Sequence, residues 1–100
     1  MRKGTTPTLT FRLPFEVDLL SNAKVTFSQG GNVILEKKLC DCDASQNLLS
    51  VTLSQEETFL FECDSVAQVQ LRCVTPTGEA FASAVFTTFI ARSLDSEVLQ

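Results

Sequence analysis

Seven residues of this chain carry the side chains most often put to specialised use: Cys40, Cys42, Cys63 and Cys73, with Asp41, Asp43 and Asp64 beside or between them. Four thiolates can hold zinc in a tetrahedral cage. Structural zinc sites normally use two Cys-x2-4-Cys knuckles, whereas here a single tight Cys40-Asp41-Cys42 stands with two lone thiols. Cys73 alternates with Val69 and Leu71 on an apolar face, where a free cysteine packs as a small hydrophobe. The spacing therefore predicts unpaired thiols in or near the core and no metal site. A disulfide would need an oxidising compartment. Calcium through Asp41, Asp43 and Asp64 is weaker still, because Cys42 interrupts the acids and a hard cation wants oxygen ligands.

The chain contains no histidine. That removes the commonest general base, nucleophile activator and metal ligand together, so neither a Ser-His-Asp nor a Cys-His site can be assembled. Paired-carboxylate chemistry would fall to Asp41, Asp43 and Asp64, which read more simply as solvated turn residues. Gly30-Gly31 lacks the Lys-Ser/Thr or third glycine of a phosphate loop. The expectation is a protein that is not an enzyme, with no catalytic residue and no cofactor.

Charge narrows the partners. The net charge is −4, and the basic residues Arg2, Lys3, Arg12, Lys24, Lys37, Lys38, Arg72 and Arg92 are scattered. Phosphate tracking requires them clustered, so no nucleic-acid surface is expected. Lys37 and Lys38, adjacent on a strand, point to opposite faces. No uncharged run is longer than Ala80 to Ala91, which is too short to cross a bilayer and is broken by Ser83, Thr87 and Thr88. The basic N-terminus has no apolar stretch behind it, so no signal peptide and no membrane segment are expected, and the thiols should stay reduced.

The elements that would position these residues are strands. Leu9, Phe11 and Leu13 share a face that ends at Pro14. Phe15 to Asn22 reads as a connection with one helical turn turning Phe15, Leu19 and Leu20 inward. Ala23, Val25 and Phe27 alternate with Lys24, Thr26 and Ser28. Gly30-Gly31 then marks a hairpin, because both residues tolerate positive φ. Val33 to Leu39 is its return strand. Asp41 to Asn47 is turn-rich, and Leu49, Val51 and Leu53 face inward from the next strand. Ser54 and Glu57 fit a capping box on a short turn near 54–60. Ala67 to Val74 is the clearest strand, with Val69, Leu71 and Cys73 opposite Gln68, Gln70 and Arg72. Thr75-Pro76-Thr77-Gly78 is a β-turn. Glu79 to Ile90 is long enough to need a bulge or bend. Ala91 to Gln100 is a polar tail with Leu94 and Val98 at helical spacing.

The pattern predicts an all-β fold: an antiparallel sandwich of about seven short strands. One domain spans 1–100, made of an arm (1–7), the sandwich (8–90) and a tail (91–100). No inter-strand segment is long enough for a crossover helix, which excludes an α/β arrangement.

One further feature is an order of segments. Lys3-Gly4-Thr5-Thr6-Pro7-Thr8 runs into Phe11-Arg12-Leu13-Pro14-Phe15, and Val25-Thr26-Phe27-Ser28-Gln29 precedes the glycine turn. Leu53-Ser54-Gln55-Glu56-Glu57-Thr58 leads to Phe61. Val69-Gln70-Leu71-Arg72 comes before Thr75-Pro76-Thr77-Gly78, and Ser83 and Glu97-Val98-Leu99 complete the series. Along nearly its whole length the chain resembles small structural or accessory proteins of tailed phages and Firmicutes prophages. More loosely, it is similar to the immunoglobulin-like N-terminal domains of phage baseplate proteins. The resemblance implies an Ig-like sandwich acting as a virion component, adaptor or assembly accessory, in the cytoplasm of the producing bacterium or on the particle. Cys40, Cys42 and Cys63 fall outside the resembling motifs.

The first expectation is thus a protein–protein interaction module that self-associates or binds other virion proteins, with the arm, the tail (through Leu94 and Val98) or an edge strand in contact. A module for a glycan or cell-surface ligand is the alternative. It is disfavoured by the absence of Trp and Tyr, since the eight Phe residues lack a polar handle. A zinc-stabilised accessory protein is the third.

Overall fold

The computed structural model describes residues 1–100. Eight strands form two antiparallel sheets. The smaller contains β1 (Thr8–Arg12), β5 (Leu48–Thr52) and β4 (Cys42–Ser45) in that spatial order. The larger runs β3 (Asn32–Lys38), β2 (Asn22–Gln29), β6 (Ser65–Val74), with β7 (Ala80–Ala82) and β8 (Phe86–Ile90) sharing the far side of β6. The result is a sandwich-like all-β fold. No helix is long and apolar enough to cross a membrane.

Alternation dictates the core. Ala23, Val25 and Phe27 of β2, Leu49 and Val51 of β5, and Ala67, Val69, Leu71 and Cys73 of β6 are all buried between the sheets. Phe27 and Phe61 meet edge to face with centroids 5.9 Å apart. Each fully buried side chain of this size contributes about 2–3 kcal/mol by leaving water.

The connections follow their turn chemistry. Gly30 and Gly31 take φ of 57° and 82° and close the β2–β3 hairpin in two residues, since Gln29 pairs with Asn32. The Ser54–Glu57 box is formed: the Glu57 N–H donates to Ser54 Oγ at 3.1 Å and the Ser54 N–H to Glu57 Oε1 at 2.8 Å. It starts α1 (Gln55–Thr58), one turn that carries the chain from the small sheet to the large one. The Gly78 N–H donates to the Thr75 carbonyl at 3.0 Å and closes the predicted β-turn.

Four expectations are corrected. The turn-rich segment 41–47 contains β4, whose weak propensity is overridden by pairing with β5. Leu19 lies on the single 3-10 turn Val17–Leu19 but faces solvent; Leu20 is buried instead. The tail after Ala91 forms no helix, so Leu94 and Val98 are not neighbours on a helical face. The arm is tied to its own chain. The Lys3 N–H donates to the Ala91 carbonyl, the Ala91 N–H to the Met1 carbonyl, and the Gly4 N–H to the buried Thr58 hydroxyl at 2.8 Å.

Candidate functional site

The four cysteines stay apart. Cys40 and Cys63 are exposed, Cys42 is half-buried and Cys73 is buried; all are unpaired. Only Cys73 is a core residue, so the expectation that the thiols pack in or near the core fails for Cys40 and Cys63. No three Cys, Asp or Glu side chains converge on one point where a metal could sit. Burial, helped by Asp41, raises the Cys42 thiol above its ordinary pKa, and burial alone raises Cys73. Neither is a poised thiolate. Asp41 accepts from the Lys38 N–H, Asp43 sits on edge strand β4, and Asp64 pairs with Arg92.

What the fold builds instead is an open side. β1 is the edge of the small sheet and β7–β8 the edge of the large one, and between them lies a cleft of about 660 Å³. Ten of its fourteen lining residues are hydrophobic; Thr10 and Arg12 border it from β1, in the row whose side chains lie on the outer face. Phe11 meets Phe86 at 6.0 Å between centroids, and Phe15 meets Phe81 at 5.2 Å. Phe81 remains 40% exposed and Phe86 51%, so the cleft is floored by core but roofed by nothing.

A single irregularity aims both rings inward. Phe81 pairs with Cys73 and Phe86 with Val69, both on the inner face of β6. Residues five apart on an unbroken strand would point to opposite faces. Ser83 still keeps the β7 register, opposite Leu71, and the extra residue follows it, where Ala84 and Val85 stand opposite Gln70. The Ser83 N–H donates to the Leu71 carbonyl at 2.8 Å, and its hydroxyl accepts from the Leu71 N–H at 3.0 Å. The pairing register shifts by one residue between Ala82 and Phe86. This is a β-bulge that re-aims the end of a strand.

The backbone of β1 completes the site. The Leu53 N–H donates to the Pro7 carbonyl and the Leu13 N–H to the Asn47 carbonyl, so residues 7, 9, 11 and 13 face β5. Ladder alternation then turns the N–H and C=O groups of Thr8, Thr10 and Arg12 outward, with no partner in this chain. The side chains of Thr8 and Thr10 lie on the outer face, bonded to Thr52 and Ser50.

Other edges are guarded. The edge strand β3 carries Glu36, Lys37 and Lys38, and β4 carries Asp43 just after Asp41. Charges on an edge deter pairing with a stranger. β7 and β8 have no charged residue, and β1 has only Arg12.

Sequence reasoning found Phe11, Leu13 and the need for a bend in the last strand. It did not find the cleft, because the pairing of Phe11 with Phe86 and of Phe15 with Phe81 depends on which edges the sheets leave adjacent. Comparison with protein-family models, with curated proteins and with solved structures gave no match to this chain.

Proposed function

We propose that this chain is a non-enzymatic protein–protein interaction module, a structural or assembly-accessory component of a tailed-phage or prophage virion, and that it docks through the open side between β1 and β7–β8. The observation that carries the reading is the unpaired backbone of Thr8, Thr10 and Arg12 above an apolar cleft. An edge with free donors and acceptors recognises an extended polypeptide by its main chain, and a cleft beside it selects alternate side chains. The strand order supports an Ig-like reading. If β1, β5 and β4 stand for strands B, E and D, then β3, β2, β6 and β8 stand for C′, C, F and G. Within residues 1–100 the arm bridges to Ala91 beside β8 and no strand pairs with the outer edge of β1, which is where the cleft opens.

A second reading, a glycan or cell-surface ligand in the same cleft, draws on the exposed rings of Phe81 and Phe86. It is the lesser one. Sugar binding wants convergent polar groups, and the Ser83 hydroxyl is already occupied by Leu71 and Ala84.

The test is co-sedimentation with virus particles, or their assembly intermediates, from the producing cell. The chain is expected to travel with them at fixed stoichiometry, and Phe86→Asp to release it. A chain that stays free in a particle-bearing lysate contradicts the reading.

A further inference from the structure

We infer that the cleft is filled by the tail of a second copy of this chain, residues Leu94–Val98, added to β1 as an extra strand. The inference rests on the docking reading above and names its occupant.

Both halves of the contact lie on one chain: the β1 edge and cleft are open, and of the two apolar side chains in residues 94–98 Leu94 is free while Val98 is half-buried. Leu94 is fully exposed, at 101% of its reference area, although it is an apolar side chain in a polar segment. The tail is held to its own fold lightly. Gln55 grips the Leu99 backbone with two hydrogen bonds of 2.8 and 2.9 Å, and Arg92 pairs with Asp64. The arm, by contrast, is tied down by Ala91 and Thr58 and is not free to be lent.

The tail also has the right alternation. In an extended strand Leu94, Ser96 and Val98 share one face while Asp95 and Glu97 share the other. Laid along β1, the first face enters the apolar cleft. The second then stands on the outer face, where the even-numbered residues of β1 project. Arg12 belongs to that row and takes part in none of the chain's three ion pairs; Asp95 and Glu97 also lack a basic partner. Opposite charges across neighbouring strands favour the pairing and fix its register. Five residues of strand span roughly 17 Å, the length that β1 itself offers.

Leu94 and Val98 therefore act together through a period of two, not through helical spacing. The contact joins two different patches, tail to cleft, so it closes as an exchange between two copies or as a ring.

Complementation between two full-length variants decides the matter. Phe86→Asp spoils the cleft, and the double change Leu94→Asp with Val98→Asp spoils the tail. In native mass spectrometry the unchanged protein is expected as a discrete oligomer, and each variant alone as a monomer with an unaltered far-UV circular dichroism spectrum. An equimolar mixture of the two is expected to give a 1:1 heterodimer, since one intact cleft meets one intact tail. Should Phe86→Asp fail to fold, Thr10→Pro replaces it, removing one outward N–H from the free edge. An oligomer that survives the tail substitutions overturns the inference while leaving docking at the cleft in place. A monomeric wild type overturns it too, and particle co-sedimentation still judges the broader reading separately.

Discussion

Gln29, the last residue of β2, holds both backbone polar groups of Glu62. Its Oε1 accepts from the Glu62 N–H at 2.8 Å and its Nε2 donates to the Glu62 carbonyl at 3.0 Å. The same Nε2 donates to Ser65 Oγ at 3.0 Å, and the side chain is buried. One amide thus pins the crossover that leads from α1 into β6. Gln29→Leu keeps the volume and strands both Glu62 groups. A loss of about 1–3 kcal/mol in urea unfolding is expected. A loss below about 0.5 kcal/mol, the scale of an ordinary surface change, contradicts this role.

Glu57 links stability to pH. Burial opposes its charge, but the hydrogen bond from Lys37, 2.6 Å away, and the cap at Ser54 outweigh it and hold the carboxyl below its ordinary value. The group binds its proton less tightly folded than unfolded. Its contribution is therefore present above the unfolded pKa of about 4.3 and is lost as pH falls through the lower, folded value. Glu57→Gln should cost about 1–3 kcal/mol at neutral pH, because the Lys37 ammonium, 14% exposed, loses its partner. It should also flatten the acid limb of the stability profile. An acid limb as steep as wild type would contradict the assignment.

Ser83 anchors the bulge that follows it, and the bulge makes the cleft. Ser83→Ala leaves the Leu71 N–H without its acceptor, at an expected cost of about 1–3 kcal/mol. Deleting Ala84 tests the geometry more sharply. It removes the extra residue and must turn either Phe81 or Phe86 away from Phe15 or Phe11. Chemical shifts of the Phe11 and Phe15 rings read the change, and rings unmoved by the deletion contradict it.

The thiols should separate by access. Under native conditions Cys40 and Cys63 are expected to alkylate first and Cys42 more slowly, its proton held by burial and Asp41. Cys73 should wait for unfolding. A native mass carrying zinc, or protection of Cys40 and Cys63, would contradict this order.

Local pattern made much of the sandwich legible. Val25 and Phe27, Leu49 and Leu53, and Val69 and Leu71 each declare a buried face by alternating with polar neighbours. Gly30-Gly31 and Thr75–Gly78 declare their turns by chemistry. β4 was not legible, because Cys42-Asp43-Ala44-Ser45 has turn-like residues and becomes a strand only through the register of β5. Leu19 and Leu20 show the same limit, since two adjacent leucines before Ser21 do not say which one the fold buries. The cleft lies further out of reach. Its rings come from positions 11, 15, 81 and 86, and nothing local relates the N-terminal pair to the C-terminal one.

Strand addition at β1 is the central claim, and amide hydrogen exchange on the associated protein tests it most directly. Thr8, Thr10 and Arg12 have no internal partner for their N–H groups, whereas Leu9 and Phe11 bond to β5. The account predicts that Thr8, Thr10 and Arg12 become protected on association, and that Phe86→Asp returns them to fast exchange while Leu9 and Phe11 stay slow. Equal exchange of the three amides in the associated and dissociated states would contradict it.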